Sequence, residues 1–109
     1  MPITNTISVE TATEWVNRWK ESEHTLVNDD GTFIKGFFIP GDDLNEVMRE
    51  TGASDARSYL GIDDNHEFHL LVVGVDDNGN DMVDPEKGCY VYDFTRPCPP
   101  TCSKTGPFK

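Results

Sequence analysis

The chain has 109 residues, 36% of them hydrophobic, with 20 acidic against 9 basic side chains for a net charge of −11. That length suits one domain able to bury roughly 60–70% of its unfolded surface, and no run approaches the ~18 apolar residues of a membrane span. Long internal repeats are absent, and residues 1–14 show neither a basic start nor an apolar stretch, so no secretory signal is expected.

Residues 1–7 are polar and β-branched without periodicity, and read as a loose arm. Ser8 then suits a helix N-cap. Val9, Ala12, Trp15, Val16 and Trp19 follow at i, i+3, i+4 spacing, which predicts an amphipathic helix over 9–22. Within it Glu14 and Arg18 stand four apart in the favourable order for an ion pair. Asn28-Asp29-Asp30-Gly31 is turn chemistry, and 33–39 is a strand-like run with apolar side chains on both faces, ended by Pro40-Gly41. Asp42 or Asp43 can cap a second helix over 43–51, with Leu44, Val47, Met48 and Thr51 on one side and Gly52 placed to close it.

Three strands follow, over 56–62, 68–75 and 89–94, separated by turns at 63–66 and 76–80. The sequence Gly61-Ile62-Asp63-Asp64-Asn65 is echoed by Gly74-Val75-Asp76-Asp77-Asn78, which predicts two similar strand-to-turn junctions. The order α-β-α-β-β-β predicts an α+β domain over 1–95. It should hold one mixed, mostly antiparallel four-stranded sheet, its first two strands made parallel by a crossover through the second helix, with both helices on one face. The apolar second face then needs a cover, either the tail (96–109) or a second copy, so a homodimer is expected.

Charge divides the chain. The tail carries Arg96, Lys104 and Lys109 and no acid, leaving −14 on the first 95 residues (20 acids against 6 bases). That field repels phosphate backbones, so no nucleic-acid partner is expected, and cations or basic proteins are favoured by sign. Arg96-Pro97-Cys98-Pro99-Pro100-Thr101-Cys102 is too proline-rich for helix or central strand, and is expected to dock on the domain with Arg96 meeting the acidic body. Cys98 and Cys102 have zinc-ligand spacing, but Cys89 with His69 or His66 are the only donors available to complete the set. Reduced thiols are therefore the expectation, with no cofactor; zinc and a local Cys98–Cys102 disulfide are the alternatives.

Among the histidines, His69 alternates with apolar neighbours in the most apolar strand and reads as a half-buried core or edge side chain, His66 falls in a turn, and His24 at a helix end. A Cys89–His69 nucleophile pair would need a proximity that the sequence does not supply. Asp76, Asn78 and Asn80 begin like a calcium loop, but Asp81 and Lys87 stand where glycine and glutamate are required. The pairs Asp42/Asp43, Asp63/Asp64 and Asp76/Asp77 fall at caps and turns, where acids serve structure. Gly36, Gly61 and Gly74 interrupt strands and mark close approaches, with a shallow pocket possible beneath Trp15, Trp19 or the tyrosines.

The closing stretch Tyr90-Val91-Tyr92-Asp93-Phe94-Thr95-Arg96-Pro97-Cys98-Pro99-Pro100-Thr101-Cys102, with Tyr59-Leu60-Gly61 and Gly74-Val75-Asp76, resembles small bacterial proteins of no established activity. The resemblance implies a bacterial, cytoplasmic origin and supplies no catalytic residue.

The reading is thus a small, acidic, non-catalytic protein-binding module, with Tyr90, Tyr92, Phe94 and Arg96 as its interaction surface. The alternative is a small-molecule, metal or redox protein using Cys89, Cys98 and Cys102. A more remote one makes the tail a substrate for modification.

Overall fold

The computed structural model describes residues 5–23 and 25–109, so the expectations for His24 and for the first four residues of the arm lie outside the described residues. In chain order the elements are β1 (Thr6–Ile7), α1 (Val9–Glu21), β2 (Gly36–Phe38), α2 (Gly41–Met48), β3 (Asp55–Ile62), β4 (Phe68–Val75), β5 (Asp81–Met82), a 3-10 turn (Pro85–Lys87), β6 (Val91–Tyr92) and β7 (Arg96–Cys98). The fold is α+β, and all strand pairs among the described residues are antiparallel.

Helix α1 forms as its spacing requires. The Ser8 hydroxyl accepts from the Thr11 N–H at 3.0 Å, and Arg18 reaches Glu14 at 3.0 Å. Its stripe buries Ala12 against Leu71, Val73 and Val91, with Trp15 and Val16 packed alongside, half-buried. Helix α2 starts at Gly41 behind Pro40, which offers no side-chain cap, so Asp42 and Asp43 sit inside the first turn, where their charge still favours the helix dipole. Gly52 (φ +94°) lies in the turn after the helix, a conformation that suits glycine.

The main sheet runs β1-β6-β4-β3, with β5 pairing the end of β4 on the same side as β6. The β3–β4 hairpin is in register from Asp55↔Val75 to Ile62↔Phe68. Its turn and the next one are built alike. Asp63 Oδ1 accepts from the N–H groups of Asn65 and Glu67, and Asp76 Oδ1 from those of Asn78 and Asn80. The left-handed position falls on His66 (φ 63°) in one and on Gly79 (φ 80°) in the other. The echoed sequence is therefore an echoed hairpin.

Several expectations need correction. Strand β2 is not made parallel to β3 by a crossover: it pairs with β7 instead, antiparallel, Gly36↔Cys98 to Phe38↔Arg96, in a separate two-stranded sheet. Pro97 has no N–H to give a central ladder and fits such an edge. Within the run 33–39 only the middle is strand, and Phe33 is 70% exposed. Nor do the helices share a face. Successive strand residues point to opposite sides, so Leu71, Val73 and Val91 meet α1 while Val72 and Tyr92 meet Val47 of α2, which is 0% exposed. A strand apolar on both faces takes cover on both, which removes the reason for expecting a second copy there. Thr6–Ile7 pairs with β6 rather than trailing, and only Val91–Tyr92 of the run 89–94 is strand.

Candidate functional site

Strand β4 positions a polar cluster of one histidine between two aspartates. His69 points to the α1 side, with its ring centroid 4.7 Å from that of Trp15. Its Nε2 lies 2.7 Å from Asp63 Oδ2, before the hairpin turn, and its Nδ1 lies 2.9 Å from Asp93 Oδ1, just past β6. Carboxylates only accept, so both ring nitrogens donate and the imidazole carries a proton on each. Burial opposes that charge, but the hydrogen bonds and negative charges of Asp93 and Asp63 outweigh it and raise the imidazolium to about 9. Burial likewise works against the Asp63 carboxylate, and donation from His69, Glu67 and Asn65 overcomes it to hold the group below its ordinary range. The cluster is closed on itself: His69 has no nitrogen left for a substrate, a metal or Cys89.

On the α2 side, Glu50 Oε2 accepts from the Tyr92 hydroxyl at 2.7 Å and from the Tyr90 N–H at 3.0 Å, while Oε1 is buried with no hydrogen-bond partner. Burial raises the Glu50 pKa despite those bonds, and burial with the neighbouring carboxylate raises that of Tyr92. Gly74 makes room, since a Cβ there would stand 3.1 Å from Glu50 Oε1; Gly61 similarly admits Trp15, whose Cβ would be 3.0 Å away. Nothing approaches Gly36 so closely. The proposed interaction surface is corrected by burial: Tyr92 and Phe94 are 1% and 6% exposed and belong to the core, Tyr90 is half-buried beside them, and only Arg96 is exposed. Arg96 makes no ion pair among the described residues.

The cysteines do not converge. Cys98 and Cys102 form a disulfide, against the expectation of reduced thiols, and line a groove with Phe38 and Phe108. Cys89 lies in a different cavity beside Asp84, where burial first, and then the Glu50 and Asp84 charges, raise its thiol pKa. No group of three His, Cys, Asp or Glu among the described residues could hold a metal ion. The zinc set drawn from Cys89, Cys98, Cys102 and His69 is therefore not assembled.

What is open lies at the other edge of the sheet. In the hairpin, Asp63 N–H donates to the Glu67 carbonyl, and this register turns the N–H and C=O groups of Tyr59 and Gly61 toward β4 and those of Ala56, Ser58 and Leu60 outward. Arg18 Nη1 closes off the next outward carbonyl, that of Ile62, at 2.8 Å. Among the described residues the outward groups of Ala56, Ser58 and Leu60 have no backbone partner. A groove of about 660 Å³ runs along this edge, with Val16 and Trp19 of α1 on one side and Ile34 and Phe37 of the β2 arm on the other. Its lining contains Lys20 and Lys35 and no acid, in a chain with 20 acids. A second groove of about 640 Å³ adjoins it across Lys35, Gly36 and Phe37 and reaches the exposed Phe38 and Phe108. The three strand glycines do not floor a common pocket: Gly61 and Gly74 are closed off by Trp15 and Glu50. The groove beside Trp19 has a strand edge as its floor, with Gly36 alone of the three in its lining. The two lysines were missed because neither stands in any motif.

Family models give no match to this chain, and neither curated proteins nor solved structures give a significant one.

Proposed function

We propose that the chain is a small, acidic, non-catalytic protein-binding module, and that it docks its partner along the groove between α1, the outer edge of β3 and the β2 arm. The observation that carries this reading is an unpaired strand edge lying in a groove apolar on both sides. Exposed ladder groups beside apolar walls are what one polypeptide offers another. Among the described residues no helix is long and apolar enough to cross a membrane. Cytoplasmic placement, a bacterial origin and the absence of a cofactor belong to the same proposal. A site-specific photo-crosslinker at Phe37 tests it in living cells of the source. It should yield a polypeptide adduct that the same probe at exposed Glu86 does not, and identical products from both positions would refute the reading.

The Cys98–Cys102 bridge favours one second reading, a redox-responsive protein. Acid-quenched alkylation of the native protein distinguishes the two. Full labelling of both thiols removes support for the redox reading, and absence of labelling strengthens it.

A further inference from the structure

The groove's walls, edge and charge say what kind of segment it fits. Resting on the protein-binding reading above, we infer that it takes an extended segment of a partner protein, apolar at its centre and flanked by carboxylates, which adds to the outer edge of β3 as a further strand. Three observations converge. The outward ladder groups of Ala56, Ser58 and Leu60 are spaced to pair with about five residues of extended chain, roughly 17 Å. Both sides of that path are apolar, Val16 and Trp19 against Ile34 and Leu60, so side chains alternating to either face of the added strand meet apolar surface. The charge selects the flanks. Lys20 and Lys35 are exposed and take part in no ion pair, those among the described residues being made by Arg18, Arg57 and His69.

The net charge of −11 favours basic partners at long range, but at physiological salt exposed charges are screened beyond about 8 Å, so the two lysines lining the groove dominate recognition there. The same net charge disfavours a second copy, which would bring a second −11 to the seam.

The test uses the whole chain and a synthetic octapeptide, Glu-Glu-Val-Phe-Val-Val-Glu-Glu with blocked ends, against a version with lysine for each glutamate and an acidic version N-methylated at alternate central amides. Backbone NMR with amide exchange provides the readout. The acidic peptide should bind at least tenfold tighter than the basic one, slow exchange at Ser58 and Leu60 by tenfold or more, and lose binding when N-methylated. The double variant Lys20→Glu/Lys35→Glu, both surface changes, should reverse the charge preference. Equal or tighter binding of the basic peptide overturns the charge assignment. Binding without protection of Ser58 and Leu60 overturns strand addition, and so does absence of binding by either peptide at millimolar concentration. Protection of those amides in a peptide-free dimer overturns the partner in favour of a second copy. In each of these cases a Phe37-specific polypeptide adduct in cells would still leave the protein-binding reading standing.

Discussion

The cluster around His69 and the groove along β3 occupy the two ends of one hairpin's chemistry, and they are opposites. At the first, the imidazole is fully engaged: both ring nitrogens donate to carboxylates, and Asp63 also holds its own turn together. At the second, the outward backbone groups of Ala56, Ser58 and Leu60 have no backbone partner among the described residues, the walls are apolar, and Lys20 and Lys35 take part in no ion pair there. Residue type alone would have pointed to the histidine and the cysteines as the functional site. Counting which valences are already filled points to the strand edge instead.

That contrast can be broken at its tightest point first. Trp15 packs on His69, on Gly61 of β3 and on the α1 core. Trp15→Ala should cost about 3 kcal/mol, the lower end for such truncations because the ring is half-buried. Thermal and urea unfolding check the figure.

The His69 cluster makes its own prediction about pH. A folded-state pKa raised from 6.5 to about 9 means the stabilisation is fully present below 6.5 and is lost as pH rises through about 9. The loss across that window should be roughly 3 kcal/mol, at 1.4 kcal/mol per pKa unit. On the acid side the depressed Asp63 carboxyl acts in the reverse sense, and its contribution is lost only as pH falls below the ordinary carboxylate range. His69→Gln should flatten the alkaline decline. Urea titrations at pH 6 and pH 9.5 measure both.

The twin hairpins provide the internal control. Asp63 and Asp76 make the same two turn bonds, but only Asp63 also holds the imidazolium. Asp63→Asn should therefore cost about 2 kcal/mol, the scale of a hydrogen bond to a charged group, and Asp76→Asn no more than about 0.5 kcal/mol. Equal effects would show that the turn, not the histidine, accounts for the energy.

Legibility followed distance along the chain. Helix α1, its Ser8 cap, the Glu14–Arg18 pair and both Asp-Asp-Asn turns rest on residues within five positions of one another, and all could be read from the sequence. The two-residue strand β5 that completes the second hairpin was not. The pairing of β2 with β7 spans some sixty residues through strands of three residues each, with no periodic signal to announce it. The placement of α2 on the far face was in principle available, because a strand apolar on both sides cannot be served by helices on one. Asp63 beside His69 was within reach as well: the repeated Gly-x-Asp-Asp-Asn fixes the hairpin register and so sets the two side chains close together. Asp93, arriving from beyond β6, was not.

The account stands most directly on whether the β3 edge is open in the free protein. Residue-resolved amide exchange answers this without any ligand. Tyr59 and Gly61, which donate into β4, should be strongly protected, while Ser58 and Leu60 between and beside them exchange at least a hundredfold faster. Alternating protection along β3 is the predicted result. Uniform protection across Ser58, Tyr59, Leu60 and Gly61 in the monomer would mean the edge is already covered, and the groove could then take no added strand.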